Sequence, residues 1–288
     1  MKVAEMVDGE LNSRKNGKSG VHSWLNEDET LDQLRCGGLQ LIQHRRGYRF
    51  SLDPVLLAHF ATVKPHEIVL DMGSGCGVIA LLLAKLHNGV KVTGVEIQAA
   101  QAQRAQRSVR LNKLEEQVWI ETADVCQWTP GAQILFDRVV CNPPFRSPQG
   151  GRLSAGDERR ISRHEICGTL EDFVRTAARL VRGGGTLSMV HLPERFVDIV
   201  TAMRGGGLEP RRVRMVHSRW GEQARLLLIE ARRGTGQGMV VEPPLYVYAE
   251  GVSAEGQVGS EKGQGGGGNA SSARANYSAE VASYYDCC

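Results

Sequence analysis

The sequence predicts an α/β fold in which an open, mainly parallel sheet carries helices on both faces. Three observations predict it. Short β-branched runs alternate with segments of helical period, and a glycine-rich turn directly follows one of the first such runs. The 288 residues, 41% hydrophobic and 23% charged, supply one substantial core rather than several. Strands are expected at Ile68–Met72, Val90–Ile97, Val118–Thr122, Phe136–Cys141, Gly185–Leu192, Val213–His217 and Leu226–Ala231. Helices are expected at Val78–His87, Gln98–Asn112, Leu170–Val181 and Pro193–Arg204, the last with proline in its first turn. The final two strands have only the Gly221 loop between them, so they form an antiparallel hairpin and the last strand runs against the sheet. Ahead of the first sheet strand, Leu34–Ser51 reads as a hairpin around Gly37-Gly38 and Gly47, and Asp53-Pro54 opens a short helix ending near Thr62. Four regions follow: a disordered segment over 1–29, a hairpin-and-helix cap over 30–62, the main domain over 63–250, and a disordered glycine-rich tail over 251–288 containing Gly265–Gly268. Nothing is assigned to Cys287-Cys288.

The formal net charge is only +3, well short of a level that by itself indicates nucleic acid. Distribution is more informative: arginines crowd the stretch from Arg146 to Arg233 while acidic residues are sparse there, which fits a phosphate-bearing partner. The seven cysteines are scattered and lack a C-x-x-C pair, so neither a disulfide framework nor a zinc site is expected. With a polar N-terminus and no run long enough to span a bilayer, the reading is a cytoplasmic protein without membrane or metal, a monomer or weak homodimer.

The run Ile68-Val69-Leu70-Asp71 leads straight into Met72-Gly73-Ser74-Gly75-Cys76-Gly77 and an apolar helix. Glycines here let backbone approach a ligand at the carboxyl end of the sheet. The order D-x-G-x-G-x-G differs from the G-x-G-x-x-G that seats a pyrophosphate. It suits S-adenosylmethionine, which has no phosphate: Asp71 would lie near the charged methionyl end, with Gly73, Gly75 and Gly77 giving room. Glu96, ending the next strand, can accept both ribose hydroxyls. Asp124 with Val125, after the third strand, either reads the adenine edge or caps the following turn.

The fourth strand ends in Asn142-Pro143-Pro144-Phe145. Consecutive prolines stiffen the backbone and remove donors, leaving carbonyls free to accept. A ring-conjugated amine is a poor nucleophile because its lone pair is delocalised. If the Asn142 side-chain oxygen and the Pro143 carbonyl accept its two hydrogens, the lone pair turns toward the methyl group, and Phe145 fixes the ring plane by stacking. Catalysis is then orientation and electrostatics, without metal or covalent nucleophile.

D-x-G-x-G-x-G followed by N-P-P-F resembles the class I, Rossmann-like amino-methyltransferases with a seven-stranded sheet, which act on adenine N6, guanine N2 or glutamine N5. Within them, the span from about Leu31 to Arg233 is similar to the bacterial tRNA1(Val) (adenine-37-N6)-methyltransferases. The similarity rests on Gly47-Tyr48-Arg49-Phe50-Ser51-Leu52-Asp53, Leu56-Leu57-Ala58, Arg163-His164-Glu165 and His191-Leu192-Pro193-Glu194-Arg195. The resemblance implies N6 methylation of a tRNA adenine with S-adenosylmethionine as cofactor. It places Phe50, Ser51 and Asp53 over the cofactor and gives Arg163, His164 and Glu165 a part in shaping the target pocket, although His164 and Glu165 also fit a helix-capping pair. His191 reads as a core or rim histidine. Arg146, Arg211, Arg212 and Arg214 are candidate RNA contacts, the last three alternatively a solvated strand face. The alternatives are a glutamine-N5 methyltransferase of release factors, whose relatives carry a longer helical N-terminal domain, an rRNA guanine-N2 methyltransferase, and an RNA-associated protein that binds S-adenosylmethionine without turnover.

Overall fold

The computed structural model describes residues 24–34, 36–46, 49–131, 134–145, 168–234, 236–249 and 277–286. The chain opens with a hairpin, β1 (Glu29–Leu34) and β2 (Leu39–His44), then α1 (Asp53–Phe60). The main domain follows as β3 (Ile68–Met72), α2 (Val78–Leu86), β4 (Lys91–Glu96), α3 (Ala99–Leu111), β5 (Val118–Thr122) and β6 (Phe136–Cys141). It continues with α4 (Leu170–Leu180), β7 (Val181–His191), a 3-10 turn at Pro193–Arg195, α5 (Phe196–Gly205), β8 (Leu208–His217) and β9 (Ala224–Arg233). Two-residue strands β10 (Val240–Val241) and β11 (Leu245–Tyr246) and a helix α6 (Ala279–Asp286) complete it.

The sheet order is β10-β8-β9-β7-β6-β3-β4-β5, with β11 also on β8. All neighbours in it run parallel except β9, which is antiparallel to both β7 and β8. This is the expected fold: seven long strands with the last one reversed, and two short strands added at the β8 edge. Because side chains alternate across a strand, consecutive residues feed two cores. Val69, Val140, Val190 and Leu228 pack with α1, α2 and α3, whereas Leu70, Val139, Met189 and Ile229 pack with α4 and α5.

The hairpin pairs Glu29 with His44 and Leu34 with Leu39. It therefore starts five residues before the expected Leu34, inside the segment expected to be disordered, because Glu29 is drawn into the fold by Arg107. Residues 45 and 46 already leave the strand, and Gly47 lies outside the described residues. The outer edge of β2 is covered by α3: the Ile42 N–H donates to Ser108 Oγ (2.9 Å), and Asn112 bridges the Gln40 backbone. Strand β8 begins at Leu208, five residues before the expected Val213. Its start is masked in sequence by Pro210 and two arginines, and the ladder to β9 shifts register between Pro210 and Arg212, ahead of the residues where β10 pairs on the other side. Strand β7 likewise starts at Val181 instead of Gly185.

The expectation of a disordered tail fails at its end. Residues 279–286 form α6, where Val281 is buried, Tyr284 stacks on His59 of α1 (4.3 Å), and Arg214 meets Glu280 through its two terminal guanidinium nitrogens (2.6 and 2.8 Å). The remainder of the tail and the expected N-terminal segment up to residue 23 lie outside the described residues. No helix among the described residues is long and apolar enough to cross a membrane.

Candidate active site

A cavity of about 330 Å³ opens at the carboxyl ends of β3, β4 and β6, within the size range of small-molecule sites. Parallel strands bring these ends together: Asp71 stands level with Gly94 on β4 and Val140 on β6. The turn after β3 is held down by β4, since the N–H groups of Gly73 and Ser74 both donate to the Val95 carbonyl (2.9 and 3.1 Å). Positive φ at Gly73, Gly75 and Gly77 (71°, 56° and 80°) is a conformation that other residues rarely adopt.

Glu96 is fixed from two directions, one oxygen accepting the Gly75 N–H and the other the Gln98 N–H, each at 2.8 Å. Burial pushes its pKa upward against those two hydrogen bonds. Each oxygen keeps further acceptor capacity and the residue lines the cavity, which suits a diol. Asp71 lies beneath the glycine turn, 1% exposed, and neither carboxylate oxygen has a hydrogen-bond partner; the Ser74 hydroxyl is similarly orphaned. Burial raises the Asp71 pKa to about 7 and the Glu96 charge adds to it; the nearby Ala80 N–H offsets this only in part and makes no hydrogen bond of normal geometry. Orphaned buried oxygens under a cavity are a cradle for a cationic group. The residues present therefore fit a ligand with a diol and a positive end, as S-adenosylmethionine has.

The expected cofactor residues divide as follows. Phe50, Asp53, Gly73, Gly75, Glu96, Asp124, Val125 and Asn142 line the cavity. Asp71 and Ser51 do not: Asp71 is buried one residue before the lining Met72 and Gly73, and Ser51 accepts the Asp53 N–H at 3.4 Å, while burial raises the Asp53 pKa. Gly77 faces α3, where an added Cβ would lie 3.1 Å from the Ala105 Cβ, so its smallness serves helix packing. The Asp124 side chain does form the turn, accepting the Cys126 N–H (2.9 Å) and the Gln127 amide (2.8 Å), even as the residue borders the cavity. Phe50 is positioned by the hairpin: its N–H donates to Gln43 Oε1 (3.0 Å), and the same Gln43 amide donates to buried Asp32, which also holds Arg49 (2.6 Å). Sequence reasoning missed Ile97, Gln98, Gln101 and Phe173. Ile97 directly follows the acidic strand end in the sequence, which is a signal that could have found it; in the structure it is 38% exposed.

Asn142, Pro143, Pro144 and Phe145 form the wall after β6. Phe145 is braced by His191 at the neighbouring strand end (ring centroids 5.2 Å). Burial and then Arg195 lower the His191 pKa to about 4, and its Nδ1 accepts the Leu192 N–H, so it is a buried neutral prop, as expected. The structure does not bring Arg211, Arg212 and Arg214 to the cavity. Arg211 bonds the Gln237 carbonyl, Arg212 lies over Phe60 (4.0 Å) and bonds Glu242, and Arg214 holds Glu280. Arg146, Arg163, His164 and Glu165 lie outside the described residues. Among the described residues no cluster of three or more His, Cys, Asp or Glu could hold a metal.

A parallel sheet with one reversed strand and a cavity-lining carboxylate, Glu96, at the end of its second strand defines a Rossmann-like enzyme domain. Residues 53–204 match the methyltransferase small domain family, and the chain belongs to that family. It is similar to the tRNA1(Val) (adenine(37)-N6)-methyltransferase of Phocaeicola vulgatus, 25% identical over 210 residues, covering 72% of this chain and 88% of that one. It is also similar to the protein of the same name in Erwinia tasmaniensis, 32% identical over 151 residues, covering 52% of this chain and 61% of that one. Among solved structures, a predicted O-methyltransferase of Agrobacterium tumefaciens superposes with a TM-score of 0.55 at 25% identity, over 70% of this chain and 90% of that one. Trm5 of Methanocaldococcus jannaschii superposes with a TM-score of 0.54 at 16% identity, over 74% and 58%, a likeness of fold alone.

Proposed function

We propose that this methyltransferase moves a methyl group from S-adenosylmethionine to the N6 amine of an adenine in tRNA, at position 37 as the relatives' name has it, acting as an RNA-binding cytoplasmic enzyme. The observation that carries the reading is that the N-P-P-F segment lines the same cavity as Glu96 and the glycine turn. When bound, S-adenosylmethionine supplies a methyl group on a positively charged sulfur. Asp71 and the glycine turn take its charged methionyl end, Glu96 its ribose hydroxyls, and the Asp124-Val125 segment with Ile97 its adenine. The Asn142 side-chain oxygen and the Pro143 carbonyl accept the two hydrogens of the target amine, which directs the nitrogen lone pair into the cavity. Phe145, braced by His191, stacks on the target base and sets its plane. The amine's surplus proton leaves to water after transfer, since His191 is weakly basic and its Nδ1 already accepts the Leu192 N–H.

The test is methyl transfer from labelled S-adenosylmethionine to total tRNA lacking N6-methyladenosine, with nucleoside analysis. Asn142→Ala is expected to lower the rate about 10²- to 10³-fold, the usual cost of one oriented acceptor or donor, while cofactor binding stays within about twofold. Label in guanine or in protein glutamine would move the acceptor and leave the cofactor site intact.

A further inference from the structure

The turn joining β8 to β9 carries Trp220, which is 68% exposed. The turn itself does not need an indole: Gly221, at φ 78°, and the Glu222 N–H donating to the Arg219 carbonyl (3.2 Å) close it. Nor is the ring loose. Tyr246 of β11 packs against one side (ring centroids 5.4 Å, 51°), and His217 packs against Tyr246 in turn (5.5 Å) while its Nδ1 meets the Glu222 carbonyl (2.7 Å). Arg219 lies over Tyr248 (4.9 Å) with Glu222 3.9 Å away, and Arg225 is exposed just beyond the turn. A propped, water-facing aromatic among cations is the composition of a base-stacking surface.

Its position suits the same substrate. β8 runs parallel to β6, and the ladder sets Cys141 level with Met189, Ile229 and Val213 in successive strands. Three strand spacings aside and at least four residues further along, Trp220 stands roughly 20 Å from Asn142 on the same edge of the sheet. That is the reach of a few nucleotides of single strand.

We propose that Trp220, braced by Tyr246, is a stacking platform for an unpaired base of the RNA substrate, flanking the base held at Asn142. This rests on the reading of the acceptor as tRNA. The full chain, Trp220→Ala and Trp220→Phe are compared for the Kd of unmodified tRNA by filter binding, the Kd of S-adenosylmethionine by calorimetry, and Tm. Loss of one stacked base is expected to weaken tRNA binding on the order of tenfold in Trp220→Ala, with Trp220→Phe within about threefold of wild type. Cofactor Kd and Tm are expected to be unchanged. Unchanged tRNA binding by Trp220→Ala, with adenine methylation intact, overturns the platform and leaves the enzymatic reading standing. An equal loss of cofactor binding also overturns it, because the indole is then structural. Wild-type protein that neither binds nor methylates tRNA overturns the acceptor and the platform together.

Discussion

Asp71 makes the fold without cofactor pH-dependent in an unusual direction. Its carboxyl is 1% exposed and its oxygens lack hydrogen bonds, so folding transfers a charge into a site that does not solvate it. The folded pKa is about 7 against an ordinary 3.8. Because the folded form holds its proton more tightly, the unfolded chain binds fewer protons between these values, and stability falls as pH rises through that window. At 1.36 kcal/mol per pH unit, burying this carboxyl costs about 4 kcal/mol at pH 8, where it is ionised, and about 2 kcal/mol at pH 5, where folding must take up a proton. Asp71→Asn has no such cost. Without cofactor the variant should therefore melt above wild type, with a gap at pH 8 roughly twice that at pH 5, measured by thermal unfolding in matched buffers. The same variant should bind S-adenosylmethionine more weakly, since a cationic ligand is what the charge stabilises. A gap that does not change between pH 5 and 8, or a variant less stable than wild type at pH 8, refutes the reasoning.

Two further substitutions separate ligand contact from packing. Glu96→Ala removes two charge-assisted acceptors, leaving the Gly75 and Gln98 N–H groups without them; cofactor Kd by calorimetry should rise about 10- to 100-fold, and unaltered affinity would exclude Glu96 as the ribose ligand. Gly77→Ala forces a Cβ to within 3.1 Å of Ala105 at a left-handed φ and should cost about 1–3 kcal/mol in urea unfolding, whereas wild-type stability would show that α2 and α3 separate freely.

The sheet was legible because its strands are short, β-branched and punctuated by glycine, and the D-x-G-x-G-x-G and N-P-P-F segments sit where the pattern puts them, at strand ends. What escaped was set by distant partners. Glu29 reads as part of a polar leader until Arg107, 78 residues away, pairs with it. Ala279–Asp286 reads as tail because nothing local announces that His59 and Arg214 await Tyr284 and Glu280. The arginines of β8 were conspicuous as charge, yet charge alone does not reveal that Phe60, Glu242 and Glu280 engage them. Gly77 and Gly75 look equivalent in the motif, and only the approach of Ala105 separates a packing glycine from a cavity-lining one.

The reversed strand also sets an order of assembly. β9 lies between β7 and β8, so β8 is synthesised before the strand that joins it to the sheet. A nascent chain that has emerged through His217 can already close β3 to β7 and the wall at Asn142, but it must carry β8 unpaired with the edge of β7 open. Such an edge is a template for aggregation. Ten residues of β9, Ala224–Arg233, seal both at once. The hairpin at Gly221 makes that closure local in sequence, so the interval of exposure during synthesis is short.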